Sequence, residues 1–480
     1  MVEEFGQVVG DFLTSILTPL NNLVWGPVML VLLVGTGIYL NIGLKFYPFR
    51  NWLAAYKCLW QGRQHQSSDG EISPWNALMT AIAADIGTGN IVGVATAIAV
   101  GGPGALFWMW MTGFVGMMTK FCEVMLAVKY REKTPWGNWV GGCMYFIKNG
   151  LGPQWRWLAT AFAIFGMIAT FMGVGGMVQA NAIAVGVKST FGVNEWIICA
   201  VLLVLSYSIL IGGVKRIGYV AGKLVPFMAG FYILVCLIII AMNYEKVPGV
   251  FLWVVKDAFT PTAATGGFAG ATIMIAIRMG VARGVFSNEA GLGTAPMAHA
   301  ASTAESPLVQ ASIGMLDVFI DTLIVCSMTG FVILVSTVPA DLAATLNNPA
   351  VTEGSPLWCS GISGGTLSSV AFASQLGQPG AWAVTICLCL FAFTTSMGWC
   401  VYGERCAIYL FGDKILKTFR IVFCLIMASG AVITLDLVWL IADTANALMA
   451  IPNLIGILLL SPMLFKYVRE EVAKDPRFKV

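Results

Sequence analysis

Apolar runs long enough to cross a bilayer, which takes about 20 helical residues, recur along the whole chain. They fall at about 24–44, 75–100, 104–129, 156–186, 195–212, 217–242, 268–303, 308–337, 379–403, 416–435 and 438–465, and predict eleven transmembrane helices. A basic stretch rich in Trp and Tyr follows the first, from Tyr47 to Trp60 with Arg50, Lys57 and Arg63. It reads as a helix lying in the interface. A polar connection with Trp253, ending in the Gly/Thr-rich run 260–267, separates the sixth run from the seventh.

Two runs are interrupted at mid-depth. Ala83-Ala84-Asp85-Ile86-Gly87-Thr88-Gly89-Asn90-Ile91-Val92-Gly93 sets helix-breaking glycines among polar side chains, and Gly284-Val285-Phe286-Ser287-Asn288-Glu289-Ala290-Gly291-Leu292-Gly293 repeats the device in the second half. Unpaired backbone N–H and C=O groups in hydrocarbon cost several kcal/mol each, so such backbone persists only where protein or a bound solute satisfies it. Paired broken helices point to a transporter's binding site.

The loops alternate in charge. Lys45, Arg50, Lys57 and Arg63; Lys129, Arg131, Lys133, Lys148 and Arg156; Lys215, Arg216 and Lys223; Arg405, Lys414, Lys417 and Arg420; and the tail from Lys466 all fall on one side. Only Lys188, Lys246 and Lys256 fall on the other. The positive-inside rule then puts the C-terminus in the cytoplasm and the N-terminus outside. Setting the first run aside leaves ten, with a broken run heading each group of five. An odd number per group turns the second upside down, which predicts an all-α polytopic membrane protein with a LeuT-type five-plus-five inverted repeat and one additional N-terminal helix. The expected divisions are a peripheral helix and interfacial helix at 1–70, repeats at 71–243 and 268–465, an external connection at 244–267 and a cytoplasmic tail at 466–480.

Composition narrows the function. The residues are 58% hydrophobic and 11% charged, against about 25% charged in soluble domains. A net charge of +3, with the basic residues in loops, leaves no nucleic-acid surface. Twelve cysteines without a C-x-x-C pair, and only His65 and His299, make neither a disulfide framework nor a zinc site. No metal beyond sodium, no organic cofactor and no obligate protein partner is expected. The first 20 residues carry Glu3, Glu4 and Asp11 and lack the basic region of a cleavable signal, so they are expected to be retained. An enzyme would need a nucleophile and base, but there is no H-E-x-x-H, and Ser363 in Gly361-Ile362-Ser363-Gly364-Gly365 reads as part of a flexible external linker. A channel would show rings of like residues or an open pore, which two mirrored breaks do not suggest.

At the first break, carbonyls around Ala83 to Ile86 end one half-helix and suit a cation, while N–H groups at Thr88 to Ile91 open the next and suit a carboxylate. Together they suggest an amino acid travelling with Na⁺; a glycine kink for close helix packing is the other reading. At the second break Ser287, Asn288 and Glu289 are polar and Phe286 offers an apolar wall. Arg278 or Arg283 could pair with Glu289 or Asp85, or Glu289 could cap the following half-helix. Asp85 is an ion-coordinating or titratable candidate, with a structural ion pair as the alternative. Thr394, Thr395 and Ser396 place successive hydroxyls on one helix, suited to a small cation unless each bonds its own i−4 carbonyl. Trp399 lies one turn on and could close a pocket. Gln179 and Asn181 either touch substrate or bond between helices. Asp317 and Asp321, four apart, share a helix face and suggest structure or gating, with direct ion binding as the alternative. Glu123, Asp443 and Asn446 are further polar groups in or near the apolar runs.

The two interrupted strings, with Gly101-Gly102-Pro103-Gly104-Ala105-Leu106-Phe107-Trp108-Met109-Trp110 and Asn446-Ala447-Leu448-Met449-Ala450-Ile451-Pro452-Asn453-Leu454, resemble the alanine or glycine:cation symporter family over nearly the whole chain. The resemblance implies sodium-driven uptake of alanine and glycine across a bacterial inner membrane by alternating access. It points to Gly87, Thr88, Gly89, Asn90, Gln179, Phe286, Thr395 and Trp399 as lining the substrate and ion sites. With the residues read above, Ser287 and Asn288 join the expected substrate site, and Ala83, Ile86, Thr394 and Thr395 form the expected sodium site. Asp85, Glu289, Asp317 and Asp321 are left to coupling or gating. In the family the position of Asp85 is not consistently acidic, which favours a local tuning role for it. A proton-coupled carrier using Asp85 or Glu289 is the alternative.

Overall fold

Each apolar run is helical, and glycine, proline and unpaired backbone groups decide where the helices stop. A computed structural model describes residues 2–63, 69–260, 269–346, 351–433 and 436–479; His65 and nearly all of the Gly/Thr-rich run 260–267 lie outside the described residues. The first span is preceded by a further helix, Val2–Val24, which meets Pro27–Gly43 at a 40° bend. Proline at the first turn of the second helix accounts for the restart, since its missing N–H has no intrahelical partner there.

Tyr47–Gln61 buries Tyr47, Asn51, Ala55, Cys58 and Leu59 while Phe49, Trp52, Leu53 and Trp60 stay exposed, the two-faced pattern of an interfacial helix. The end of the chain docks on it. Helix Asp436–Lys474 carries the chain to the start of this segment, and the Asn51 side chain then exchanges two 2.7 Å hydrogen bonds with the Lys479 backbone. The Phe478 ring, buried, lies 6.3 Å from that of Tyr47.

Among the described residues, five unbroken helices are long and apolar enough to cross a membrane: Gly104–Lys129, Gly213–Met242, Pro307–Val335, Gln378–Phe411 and Leu437–Lys474. Two bent pairs, Phe12–Val24 with Pro27–Gly43 and Pro74–Asp85 with Gly89–Gly101, bring the number to seven by length and composition. Glu195–Leu210 and Leu416–Ser429 are shorter and pack on each other.

Three features differ from the expectation. The run 156–186 is not one helix but Arg156–Phe171 and Met177–Phe191, because at Gly175 any Cβ would fall 2.3 Å from that of Trp399. The chain opens there to admit helix 378–411. The expected linker around Ser363 is instead the start of helix Gly364–Leu376, whose Ser368 hydroxyl donates to the Ile91 carbonyl at 2.9 Å. Its apolar face, with Leu367, Ala371 and Phe372 buried, is too short to register as a span. Lastly, helix 378–411 runs well past its expected end, so Arg405 lies not in a loop but buried in the helix, 3.4 Å from Glu71.

Candidate functional site

Helix Pro74–Asp85 stops at Ile86, whose N–H still bonds the Ile82 carbonyl at 2.8 Å. The next donor is diverted. Gly87 N–H, which would have closed the turn on Ala83, bonds the Asn90 side-chain oxygen at 2.8 Å instead, a side-chain cap from within the second half-helix. The Ala83 carbonyl is thereby released. The Thr395 hydroxyl donates to the Ile86 carbonyl at 3.3 Å and occupies the space beside Gly87, where a Cβ would sit 2.3 Å from it. Gly89 explains itself in the same way, its missing Cβ lying 3.1 Å from the Ser287 Cα and 3.3 Å from the Phe286 ring.

The second broken helix, Ala269–Asn288, ends by the same logic. The Glu289 N–H closes the last turn on Val285 at 2.9 Å, but Ala290 N–H bonds the Asn288 side chain at 3.0 Å and Gly291 N–H bonds Glu123 at 3.0 Å. Those two donors would have served Phe286 and Ser287. Their carbonyls end the helix as unclaimed acceptors at its negative pole. The backbone leaves the helix at Glu289, with φ +54°, before a single further turn at Pro296–His299.

Asp321 joins the two breaks. One of its carboxylate oxygens accepts from Asn90 on the first broken helix at 2.5 Å and from Ser287 on the second at 2.9 Å. The other accepts from Thr322 at 2.8 Å, and Thr322 in turn accepts from Asn288 at 2.9 Å. Asp321 sits in a π-helical turn, Phe319–Cys326, so Asp317 one turn earlier meets a different partner.

That partner is Lys120. Fully buried on helix 104–129, it lies 3.1 Å from Asp85 and 3.2 Å from Asp317. Sequence reading passed it over. The expected arginine partners are elsewhere: Arg278 bonds the Asn22 side chain at 3.0 Å, and Arg283 pairs with Asp443 at 3.2 Å. Glu289 has no arginine and caps no N–H group; its carboxylate accepts from the Trp399 indole at 2.7 Å and the Thr294 hydroxyl at 2.6 Å. Glu123 does the capping instead, at Gly291. The signal that could have found Lys120 is the residue itself, since a lone cation deep in an apolar run requires a buried partner.

Of the remaining candidates, Gln179 donates to the Thr88 hydroxyl at 3.2 Å and is buried, its own oxygen unpartnered. Trp399 is buried between the breaks, oriented by Glu289. Phe286 is buried and stacks on Trp439 at 6.3 Å. Thr394 and Asn181 are not brought in. The Thr394 hydroxyl donates to the Leu390 and Phe391 carbonyls of its own helix, and Asn181 donates to the Ile433 carbonyl at 3.3 Å.

The two sides of the breaks differ. On the side of helix 364–376 a cleft of about 450 Å³ is lined by Ile91, Val92 and Trp439, next to the first break, while Gly87 to Asn90, Phe286, Thr395 and Trp399 are all buried. On the other side the segment before the first broken helix bonds the segment after the second. Glu71 N–H donates to Ala301 at 2.7 Å, Thr303 N–H donates to Ile72 at 2.9 Å, and Arg405 and the Trp139 N–H both reach the Glu71 carboxylate.

The profile of the sodium:alanine symporter family matches residues 10–477. The sodium/alanine symporter AgcS of Methanococcus maripaludis is 44% identical over 473 residues, 97% of this chain and 100% of that one. The probable sodium/glutamine symporter GlnT of Bacillus subtilis is 36% identical over 464 residues, 95% of this chain and 91% of its own. Among solved structures, MhsT in complex with L-phenylalanine superposes with a TM-score of 0.52 over 84% of this chain and 99% of that one, at 13% identity, a likeness of fold alone.

Proposed function

The chain belongs to the sodium:alanine symporter family, whose members are multi-pass membrane transporters and not enzymes, and from that premise we propose that it carries alanine and glycine inward together with Na⁺. The observation that supports this most is the diversion of backbone donors at both breaks. An amino acid carries a carboxylate, an ammonium and little else. N–H groups at Thr88 and Gly89, at the positive pole of the second half-helix, suit the carboxylate. Carbonyls of Phe286 and Ser287 suit the ammonium. Bulk at Gln179, Phe286 and Trp399 would limit the side chain to a small one, a limit that one extra methylene would test by only about 1–3 kcal/mol.

Na⁺ prefers hard oxygen ligands, and the Ala83 and Ile86 carbonyls with the Thr395 hydroxyl supply them at the end of the first half-helix. Thr394 drops out of this set because its hydroxyl is committed to its own helix. An ion there would fix the shape of the break that receives the carboxylate, so coupling needs no titrating side chain. Asp85 is held by Lys120 and Glu289 by Trp399, which favours structural roles for both.

The proposed architecture is eleven spans, a first helix followed by inverted repeats at 71–243 and 268–465, in a bacterial inner membrane with the N-terminus outside. Packing supports it. Helix 156–171 lies on 436–474 as 378–411 lies on 213–242, a pairing that exchanges the two groups, and 195–210 lies on 416–429, which maps onto itself. With the Glu71 and Arg405 end cytoplasmic, the hydrogen bonds there would close the inward side and the cleft beside Ile91 would lie on the outward side, which is consistent with one of the states that alternating access requires.

Uptake of labelled L-alanine into liposomes, driven in turn by Na⁺, K⁺ and proton gradients, tests the reading. Accumulation with Na⁺ alone, competed by glycine, is expected. Accumulation driven by protons without Na⁺ would overturn it in favour of a carrier that titrates Asp85 or Glu289.

A further inference from the structure

We propose that the cleft between the 132–140 hairpin, the start of helix 156–171 and the end of helix 378–411 binds a phospholipid with an anionic headgroup. The cleft measures about 790 Å³ and lies apart from the two breaks. Lys133, Lys148, Arg156 and Lys414 line it, arriving from four separate segments, against Glu132 and Asp413. Lys148 is neutralised by Glu132 at 2.9 Å. Among the described residues no salt bridge claims Lys133, Arg156 or Lys414, so the cleft keeps an excess of positive charge that its own fold does not use.

The wall is aromatic. Tyr145 and Tyr409 meet edge to face at 5.6 Å on the inner side, while Trp136 in the lining and Trp157, next to Arg156, stay exposed, as aromatic rings do at the boundary between headgroups and hydrocarbon. What distinguishes a lipid from a soluble phosphate lies below the rim. Helix 156–171 begins at Arg156 and presents Trp157, Ile164, Ile168 and then Met172 outward, spaced by 7, 4 and 4 residues and therefore on one face. This exposed apolar stripe runs about 22 Å from the cleft, at 1.5 Å per residue, far enough to follow an acyl chain through one leaflet. Cations at the head of an apolar stripe match an amphiphile of that polarity. Basic pockets between membrane helices on the cytoplasmic side bind such headgroups, and the topology proposed above puts this cleft there. The binding itself does not depend on which solute the protein carries.

Native mass spectrometry of the detergent-purified full chain, titrated with phosphatidylglycerol and with phosphatidylcholine, tests the site. At about 1 kcal/mol per cation near an anionic surface, the Arg156→Gln/Lys414→Gln variant loses roughly 30-fold in phosphatidylglycerol affinity and little in phosphatidylcholine affinity. The control Lys466→Gln/Arg469→Gln, on another basic surface, keeps the wild-type preference. Lys133→Gln, in the hairpin, reports on the same cleft through a residue outside the helices and loses a smaller factor. Equal affinity of the wild type for the two lipids, or an unchanged preference in the cleft variants, would overturn the proposal. So would displacement of phosphatidylglycerol by millimolar inorganic phosphate, which would make the cleft a soluble-anion site.

Discussion

Asp321→Asn tests whether the two breaks act as one site. Three donors converge on the carboxylate, from Asn90, Ser287 and Thr322. An asparagine of the same shape has one acceptor oxygen and turns an NH₂ group toward whatever the other oxygen served. With its oxygen toward Asn90 and Ser287, two bonds lose their charge assistance, about 1 kcal/mol each, and the Thr322 donor is left to find another acceptor in a buried site, about 1–3 kcal/mol. The total of about 3–5 kcal/mol corresponds to a loss of two to more than three decades in the affinity of a ligand that needs both breaks in place. Calorimetric titration of alanine in saturating Na⁺ reads this loss, with thermal unfolding run in parallel to show that the variant is folded. Ser287→Ala alone removes one of the same bonds, so the double variant loses less than the sum of the singles by about 1–2 kcal/mol. Alanine affinity within threefold of wild type, or strict additivity with Ser287→Ala, would refute the idea that Asp321 couples the breaks.

At Gly87, a methyl group would lie 2.3 Å from the Thr395 hydroxyl and drive it off the Ile86 carbonyl. Gly87→Ala therefore costs about 1–3 kcal/mol of overpacking and abolishes stimulation of uptake by Na⁺; adding Thr395→Ala restores the unfolding temperature but not the stimulation. Lys120→Met strands Asp85 and Asp317 without their shared cation, a loss of about 3–5 kcal/mol for a broken buried pair. A fall in unfolding temperature is the expected result, largely recovered when Asp85→Asn and Asp317→Asn are added; an unshifted single variant would show that the three groups are not an interdependent cluster.

What the sequence disclosed, and what it hid, follows from the range of the interactions. The first break is local: Gly87 and Gly89 with Asn90 between half-helices contain the donor, the acceptor and the space that the break needs. The second was placed correctly along the chain, but Gly284 misleads as to where it opens. Its missing Cβ makes room for the Thr112 hydroxyl, 2.3 Å away, and the helix continues through it. The turn comes at Glu289, a residue that rarely adopts positive φ and that carries no local sign of doing so. The partners of Lys120 are hidden for a different reason: a lone cation in an apolar run demands a buried counter-charge, but its carboxylates arrive from two other helices and no spacing within helix 104–129 names them. Trp399 could be suspected of closing a pocket, yet its orientation depends on Glu289 across 110 residues of chain. Helix 364–376 is too short to cross a bilayer, so no apolar run marks it, although it covers the first broken helix at Ile91.

The account stands on alanine and Na⁺ occupying adjoining parts of one site, each improving the site for the other. Linkage makes that measurable, because the factor by which Na⁺ raises alanine affinity must equal the factor by which alanine raises Na⁺ affinity. Calorimetric titrations of alanine at a series of Na⁺ concentrations, repeated with K⁺ and at two pH values, measure the first factor, and titrations of Na⁺ with and without alanine measure the second. The account predicts equal factors of tenfold or more, absent with K⁺, indifferent to pH and lost in Thr395→Val. Alanine affinity that ignores Na⁺ and follows pH would contradict it.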